Sequence, residues 1–113
     1  MTLATYQIRK DVTNKTIHIS VGDKMTKEIA EKFVREYDMT VRSVNAAEYT
    51  LDIDCTNMKV LTPELADELE ASFNVYKASG INKIIFQIQN DIVLKMQVSR
   101  LARKVGLMNT EFK

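Results

Sequence analysis

Hydrophobic and polar residues change their period along this chain, and the changes mark out its elements. Tyr6-Gln7-Ile8-Arg9 and Thr16-Ile17-His18-Ile19-Ser20-Val21 alternate in the way half-buried strands do. The polar stretch from Asp11 to Lys15 between them predicts the turn of a hairpin. After Gly22-Asp23 the period becomes helical. Met25, Ile29, Phe33, Val34 and Tyr37 share one face, with Lys27, Glu31, Lys32 and Arg35 away from it. This predicts a helix over about 25–37, with β-branched Thr40 and Val41 weakening an extension toward Val44.

Tyr49 to Thr56 returns to period two and predicts a strand. Thr62-Pro63-Glu64 then carries three helix-start signals in succession: a hydroxyl for the N-cap, proline for the first turn and an acid for the dipole. Leu65, Ala66, Leu69, Phe73 and Tyr76 mark the buried stripe of that helix, and Gly80 suits its end. Ile81 to Gln89 is the clearest strand. Asn90 or Asp91 caps a last helix with inner residues Leu94, Val98, Leu101, Ala102 and Val105, ending at Gly106 with Arg103 and Lys104 in its last turn.

The order is strand, strand, helix, strand, helix, strand, helix. It predicts an α/β fold: a mixed sheet of about four strands, with parallel neighbours joined by right-handed crossovers. Side-chain parity adds a detail. Ile17, Ile19 and Val21, Leu51, Ile53 and Cys55, and Ile84, Phe86 and Ile88 point one way. His18, Ser20, Thr50, Asp52, Asp54, Gln87 and Gln89 point the other. A sheet covered on both faces would be apolar on both, so the helices are expected to pack mainly on one face.

Composition narrows the class further. At 113 residues the chain suits one domain, taken to span 1–113. It is 45% hydrophobic and 27% charged, ordinary values for a globular protein. Sixteen basic residues against fifteen acids leave a formal net charge of +1, with no bulk attraction to nucleic acid or membrane. Cys55 is the only cysteine and cannot form an internal disulfide, which points to a reducing compartment. The first ten residues lack the apolar run of a signal peptide, and no stretch matches a membrane span; a cytoplasmic location is expected.

The stretch Leu51-Asp52-Ile53-Asp54-Cys55-Thr56, a short loop and the helix start Thr62-Pro63-Glu64-Leu65 are similar to the central signature of STAS domains. The strand Gly80-Ile81-Asn82-Lys83-Ile84-Ile85-Phe86 and the helix from Leu94 to Ala102 extend the resemblance over about Tyr6 to Leu107. What it implies is a bacterial, non-catalytic regulatory module that binds a protein partner, with an anti-sigma-factor-like kinase as one class of partner. It also implies a switch by phosphorylation of a serine opening the central helix. Here the chain departs from the family. It has no Ser-Ser-Gly, Thr62 falls about where the family has its aspartate, and the phosphoserine position falls on or near Pro63. Thr62 is read first as an N-cap, with a phosphoacceptor as the alternative.

Other chemistry is sparse. Asp52-Ile53-Asp54-Cys55-Thr56 satisfies the Asp-x-Asp-x-Thr pattern of haloacid-dehalogenase-type phosphatases, whose first Asp is the nucleophile beside Mg²⁺. Only 57 residues follow it and Asp91 stands without an acidic neighbour, so acids on a solvent-facing strand side are the preferred reading. His18, the single histidine, reads as a surface strand residue and Cys55 as a buried thiol. No cofactor and no metal site are expected. Charge is uneven: seven acids and one lysine lie between Glu48 and Glu70, five bases and two acids between Asp91 and Lys113. Arg100, Arg103 and Lys104 read first as the solvated face of the last helix, with binding of nucleic acid or an acidic partner as the alternative. The methionines, Met58, Met96 and Met108 among them, read mostly as core filler, with an adaptable contact surface as the alternative.

The expectation that follows is an interaction surface at the loop and helix start: Thr56, Asn57, Met58, Lys59, Thr62, Glu64, Asp67 and Glu68. Self-association as a homodimer, through the polar sheet face or the last helix, is a second expectation. The alternatives are a small-ligand or nucleotide site at the helix N-terminus around Thr62, and a Mg-dependent phosphatase built on Asp52 and Asp54.

Overall fold

The computed structural model describes residues 6–22, 26–58, 62–88 and 91–113, and of Asn57 the backbone alone. Among these the elements are β1 (Tyr6–Asp11), β2 (Thr16–Gly22), α1 (Lys27–Arg42), a short 3-10 turn (Ala46–Glu48), β3 (Thr50–Asn57), α2 (Pro63–Ser79), β4 (Lys83–Gln87), α3 (Ile92–Val105) and β5 (Thr110–Phe112). The sheet runs in the order β1-β2-β3-β4-β5. β1 is antiparallel to β2, and every later neighbour is parallel.

That order explains the one-sided packing. Each parallel crossover moves one place in the same direction, and a right-handed crossover that always advances sets every helix on the same face. The inner face is accordingly closed. Ile17, Leu51 and Ile84 stand side by side in register, as do Ile19, Ile53 and Phe86, and all are at most 3% exposed. On the other face Gln7, Ser20, Asp54 and Gln87 form one row and Arg9, His18, Asp52, Ile85 and Glu111 the next. The described members of these rows are half-buried or exposed, so this face is polar and open.

Three expectations change. α1 begins at Lys27, with the Thr26 hydroxyl accepting from the Ile29 N–H at 3.2 Å, and it runs to Arg42. Its inner stripe Ala30, Phe33, Tyr37, Val41 continues to the end, and burial of Val41 offsets its poor helix propensity. β4 is shorter than Ile81–Gln89, although Ile81 and Ile88 at its two ends are buried. The sheet has five strands rather than about four. β5 is held on β4 by the Ile84 N–H to the Asn109 carbonyl (2.8 Å), Lys113 N–H to Phe86 (2.9 Å) and Ile88 N–H to Lys113 (2.8 Å). Met25, Lys59, Gln89 and Asn90 lie outside the described residues.

Rings tie the layers together. Tyr6, Phe33, Tyr37, Tyr76, Phe73, Phe86 and Phe112 form a continuous run with centroids 5.0 to 6.4 Å apart, from the β1 edge through α1 and α2 to β5. Such pairs add about 0.5–1.5 kcal/mol each beyond their buried area. α2 and α3 both end on a left-handed glycine, Gly80 (φ 74) and Gly106 (φ 76), the conformation glycine adopts without a Cβ clash. The Lys77 ammonium donates to the Val105 carbonyl at 3.1 Å and joins the end of α2 to the end of α3.

Candidate functional site

Two local signals place the surface between α2 and α3. At the start of α2, Thr62 is extended (φ −80, ψ 162) and its hydroxyl accepts from the Leu65 N–H at 3.2 Å. Pro63 occupies the first turn, where its missing N–H costs nothing. Leu65, Leu69, Phe73 and Tyr76 face the core, which turns Ala66 toward α3. At the start of α3, the Asp91 carboxylate accepts from the Leu94 N–H at 2.9 Å. Leu94, Val98 and Ala102 fill its inner stripe. With Leu94 inside, the 100° step of a helix must leave Ile92, Val93 and Met96 outside; they are 72%, 54% and 56% exposed.

Between the helices lies a cleft of about 300 Å³, walled by Thr62, Pro63 and Ala66 on one side and Gln97, Arg100, Leu101 and Lys104 on the other. The carbon of Pro63, Ala66 and Leu101 forms its apolar part. Lys104 leans across to Glu70, 2.8 Å away, and that contact holds its pKa above the usual lysine value. Arg100 lines both this cleft and a second depression on α3 shared with Lys95, Met96, Ser99 and Arg103, so Met96 borders a depression that meets the cleft at Arg100.

The expected surface is only partly on this face. Thr56 is exposed, but its N–H (2.9 Å) and hydroxyl (2.6 Å) both donate to Asp54 Oδ1, a local turn that closes the end of β3. Asn57 lies opposite Gly22 at the strand end. Met58 is in the core, 5% exposed: its N–H donates to the Cys55 carbonyl at 3.0 Å in the turn leaving β3. A buried thioether is not a docking contact. Glu64 and Asp67 are exposed on α2, and Glu68 is half-buried with its carbonyl accepting from Ser72. The last helix enters the pattern reading as one of two surfaces for self-association and through its basic residues, and its exposed Ile92 and Val93 are not singled out there. Their signal is the run Ile92-Val93-Leu94, three adjacent apolar residues of which a helix buries one.

The open sheet face gathers the remaining chemistry. A basin of about 300 Å³ is lined by Gln7, Arg9, His18, Ser20, Asp52, Asp54 and Gln87 among others. His18 Nδ1 is 3.6 Å from Asp52 and Nε2 is 3.8 Å from Asp11, while Gln87 donates to Asp52 at 3.2 Å. The Asn14 amide and N–H donate to Asp11 and hold its carboxyl below the usual range. For an aspartyl nucleophile this arrangement is unsuitable. Asp52 sits in mid-strand between His18 and Ile85 rather than at the strand's carboxyl end, and Asp54 is occupied by Thr56. Among the described residues no three acid, histidine or cysteine side chains converge on a point that a metal could fill. Cys55 is buried, and its thiol is pushed up to about 12, far from the thiolate a nucleophile needs.

A one-way strand order with an antiparallel edge hairpin and all crossover helices on one face is the STAS-like fold. Among solved structures the chain is similar to a serine-to-glutamate variant of RsbS from Moorella thermoacetica, with a TM-score of 0.63 and 13% identity, covering 95% of this chain and 86% of that one. No protein-family model matches the sequence, and no curated protein matches it. No helix among the described residues is long and apolar enough to cross a membrane.

Proposed function

We propose that this protein is a non-catalytic, cytoplasmic interaction module of STAS type that docks a protein partner on the start of α2 and the outer face of α3. The observation that carries the reading is the uncovered trio Ile92, Val93 and Met96 on α3, with Met96 sharing a depression with Arg100, which also lines the α2–α3 cleft. Large exposed apolar side chains and a carbon-walled cleft are what a partner's side chains bury against. The resemblance puts forward an anti-sigma-factor-like kinase as the class of partner. Without a serine at the α2 start, and with the Thr62 hydroxyl engaged as a cap, binding here is taken to be set by partner availability rather than by phosphorylation.

The test is retention of a stoichiometric partner. Affinity-tagged wild-type protein is expected to carry one from its source cells, Met96→Glu to lose it, and the sheet-face variant His18→Ala to keep it. Retention that is lost in His18→Ala and kept in Met96→Glu would move the interface to the open sheet face. A phosphatase assay with Mg²⁺ checks the non-catalytic part, and turnover by wild type that Asp52→Asn abolishes would refute it.

A further inference from the structure

We infer that this surface, taken as the docking face proposed above, receives an acidic amphipathic helix from the partner. The α3 wall of the cleft is mid-helix, with its backbone groups already paired, and on the α2 wall Pro63 has no N–H while the Leu65 and Ala66 N–H groups are taken by the Thr62 hydroxyl and carbonyl. An extended peptide laid between them would bury its own N–H and C=O groups without partners. A helix brings those bonds with it, and a groove between two helices accepts the ridge of a third. Val93 and Met96 stand on the exposed side of α3, with Leu101 and Ala66 deeper in the cleft. That stripe matches apolar side chains at i, i+3, i+4 and i+7 on an incoming helix.

Charge selects the sign. Arg100, on the rim of the cleft, and Arg103, beside Met96, are exposed, and among the described residues neither has an acid within ion-pair distance, whereas Lys104 is held by Glu70. Guanidinium forks are suited to carboxylates, so a row of Glu or Asp on the flank facing α3 would complete them. The α2 side differs, since Glu64 and Asp67 are exposed there. A flat anionic bilayer would confront those acids as well as the arginines. A helix can confine its acids to one flank and leave the other neutral, which is the reason for choosing a helix over a membrane.

The test uses fluorescein-labelled, capped peptides of about 18 residues, long enough to hold a helix. They carry leucines at i, i+3, i+4, i+7 spacing, glutamine on one flank, and either glutamate or lysine on the other. Fluorescence anisotropy with the full chain is expected to show the glutamate peptide binding about ten-fold tighter than the lysine peptide, and less tightly as salt rises. Arg100→Glu with Arg103→Glu reverses that order, and Met96→Glu weakens both peptides; unchanged circular dichroism and urea midpoints confirm that the variants fold. A lysine peptide that binds as well or better, through a site that Met96→Glu removes, overturns the acidic occupant while leaving the docking face standing. Absence of peptide binding, or binding indifferent to Met96→Glu, also overturns it. So does Met96-dependent binding to phosphatidylserine-containing vesicles in place of peptide, or Met96-dependent self-association. The docking face itself fails separately, if the natural partner is retained by Met96→Glu.

Discussion

Replacing Phe112 by alanine tests whether β5 is part of the core. The strand is three residues long, and beyond its backbone bonds to β4 one ring ties it to the core. Phe112 stacks on Phe86 with centroids 5.2 Å apart and planes 14° from parallel, and Phe86 is itself 1% exposed and in contact with Phe73 of α2. Truncating a fully buried phenylalanine costs about 3–5 kcal/mol. Phe112 is half-buried, so roughly half of that is expected, and loss of the ring pair adds about 1 kcal/mol. The expected cost of Phe112→Ala is therefore about 2.5–3.5 kcal/mol, or roughly 10–14 °C in Tm for a domain of this size. Phe112→Leu keeps most of the apolar area and loses the stacking, for about 1 kcal/mol. Met108→Ala, at a side chain 91% exposed, serves as the control and should fall within about 0.5 kcal/mol of wild type. Urea unfolding followed by circular dichroism measures all three, since the chain has no tryptophan. A cost below about 0.5 kcal/mol for Phe112→Ala would mean that β5 does not pack on Phe86, and the five-stranded sheet would be wrong.

Other consequences are equally direct. Thr62→Ala should destabilise by about 1 kcal/mol through loss of the α2 cap, with Thr62→Asp or Thr62→Ser retaining most of it; equal midpoints for alanine and wild type would remove Thr62 from the cap. Cys55 should resist a thiol reagent such as 5,5′-dithiobis(2-nitrobenzoate) in the native state and react promptly in urea, and fast native labelling would contradict its burial. On the alkaline side, stability should be flat from pH 7 to about pH 9 and fall above it. Burial pushes Tyr37 and Cys55 up to about 12 and Tyr76 well above the usual phenol value, and burial with the Glu36 contact takes Tyr6 to about 12, against 10.0 for a free phenol and 9.0 for a free thiol. Each group is neutral in its protonated form, so the folded state holds its proton more tightly. The stabilisation is complete below the unfolded values and is lost as pH rises from them through about 12. Urea midpoints that are the same at pH 8 and at pH 10.5 would refute this.

The elements and the two sheet faces were legible because they follow from period and parity, which are local properties. Ile17, Ile19 and Val21 could not alternate with His18 and Ser20 without one set being inside, and the Thr62-Pro63 and Asp91 caps state where helices begin. Local pattern failed where a contact from elsewhere in the chain decided the outcome. The α1 extension depended on Val41 finding the core, and β5 on a vacant edge of β4 and on Phe86 below Phe112. Met58 is both a core-filler and a contact-surface candidate by sequence, and only the turn leaving β3 decides for the core. The candidate site lies on the same boundary. Sequence alone determined that α2 starts at Thr62 and that Ile92 and Val93 cannot both be buried beside Leu94. Only the tertiary structure decided that α2 and α3 lie side by side, since adjacency of two helices depends on the strand order, and a strand order is written in no single segment of the chain.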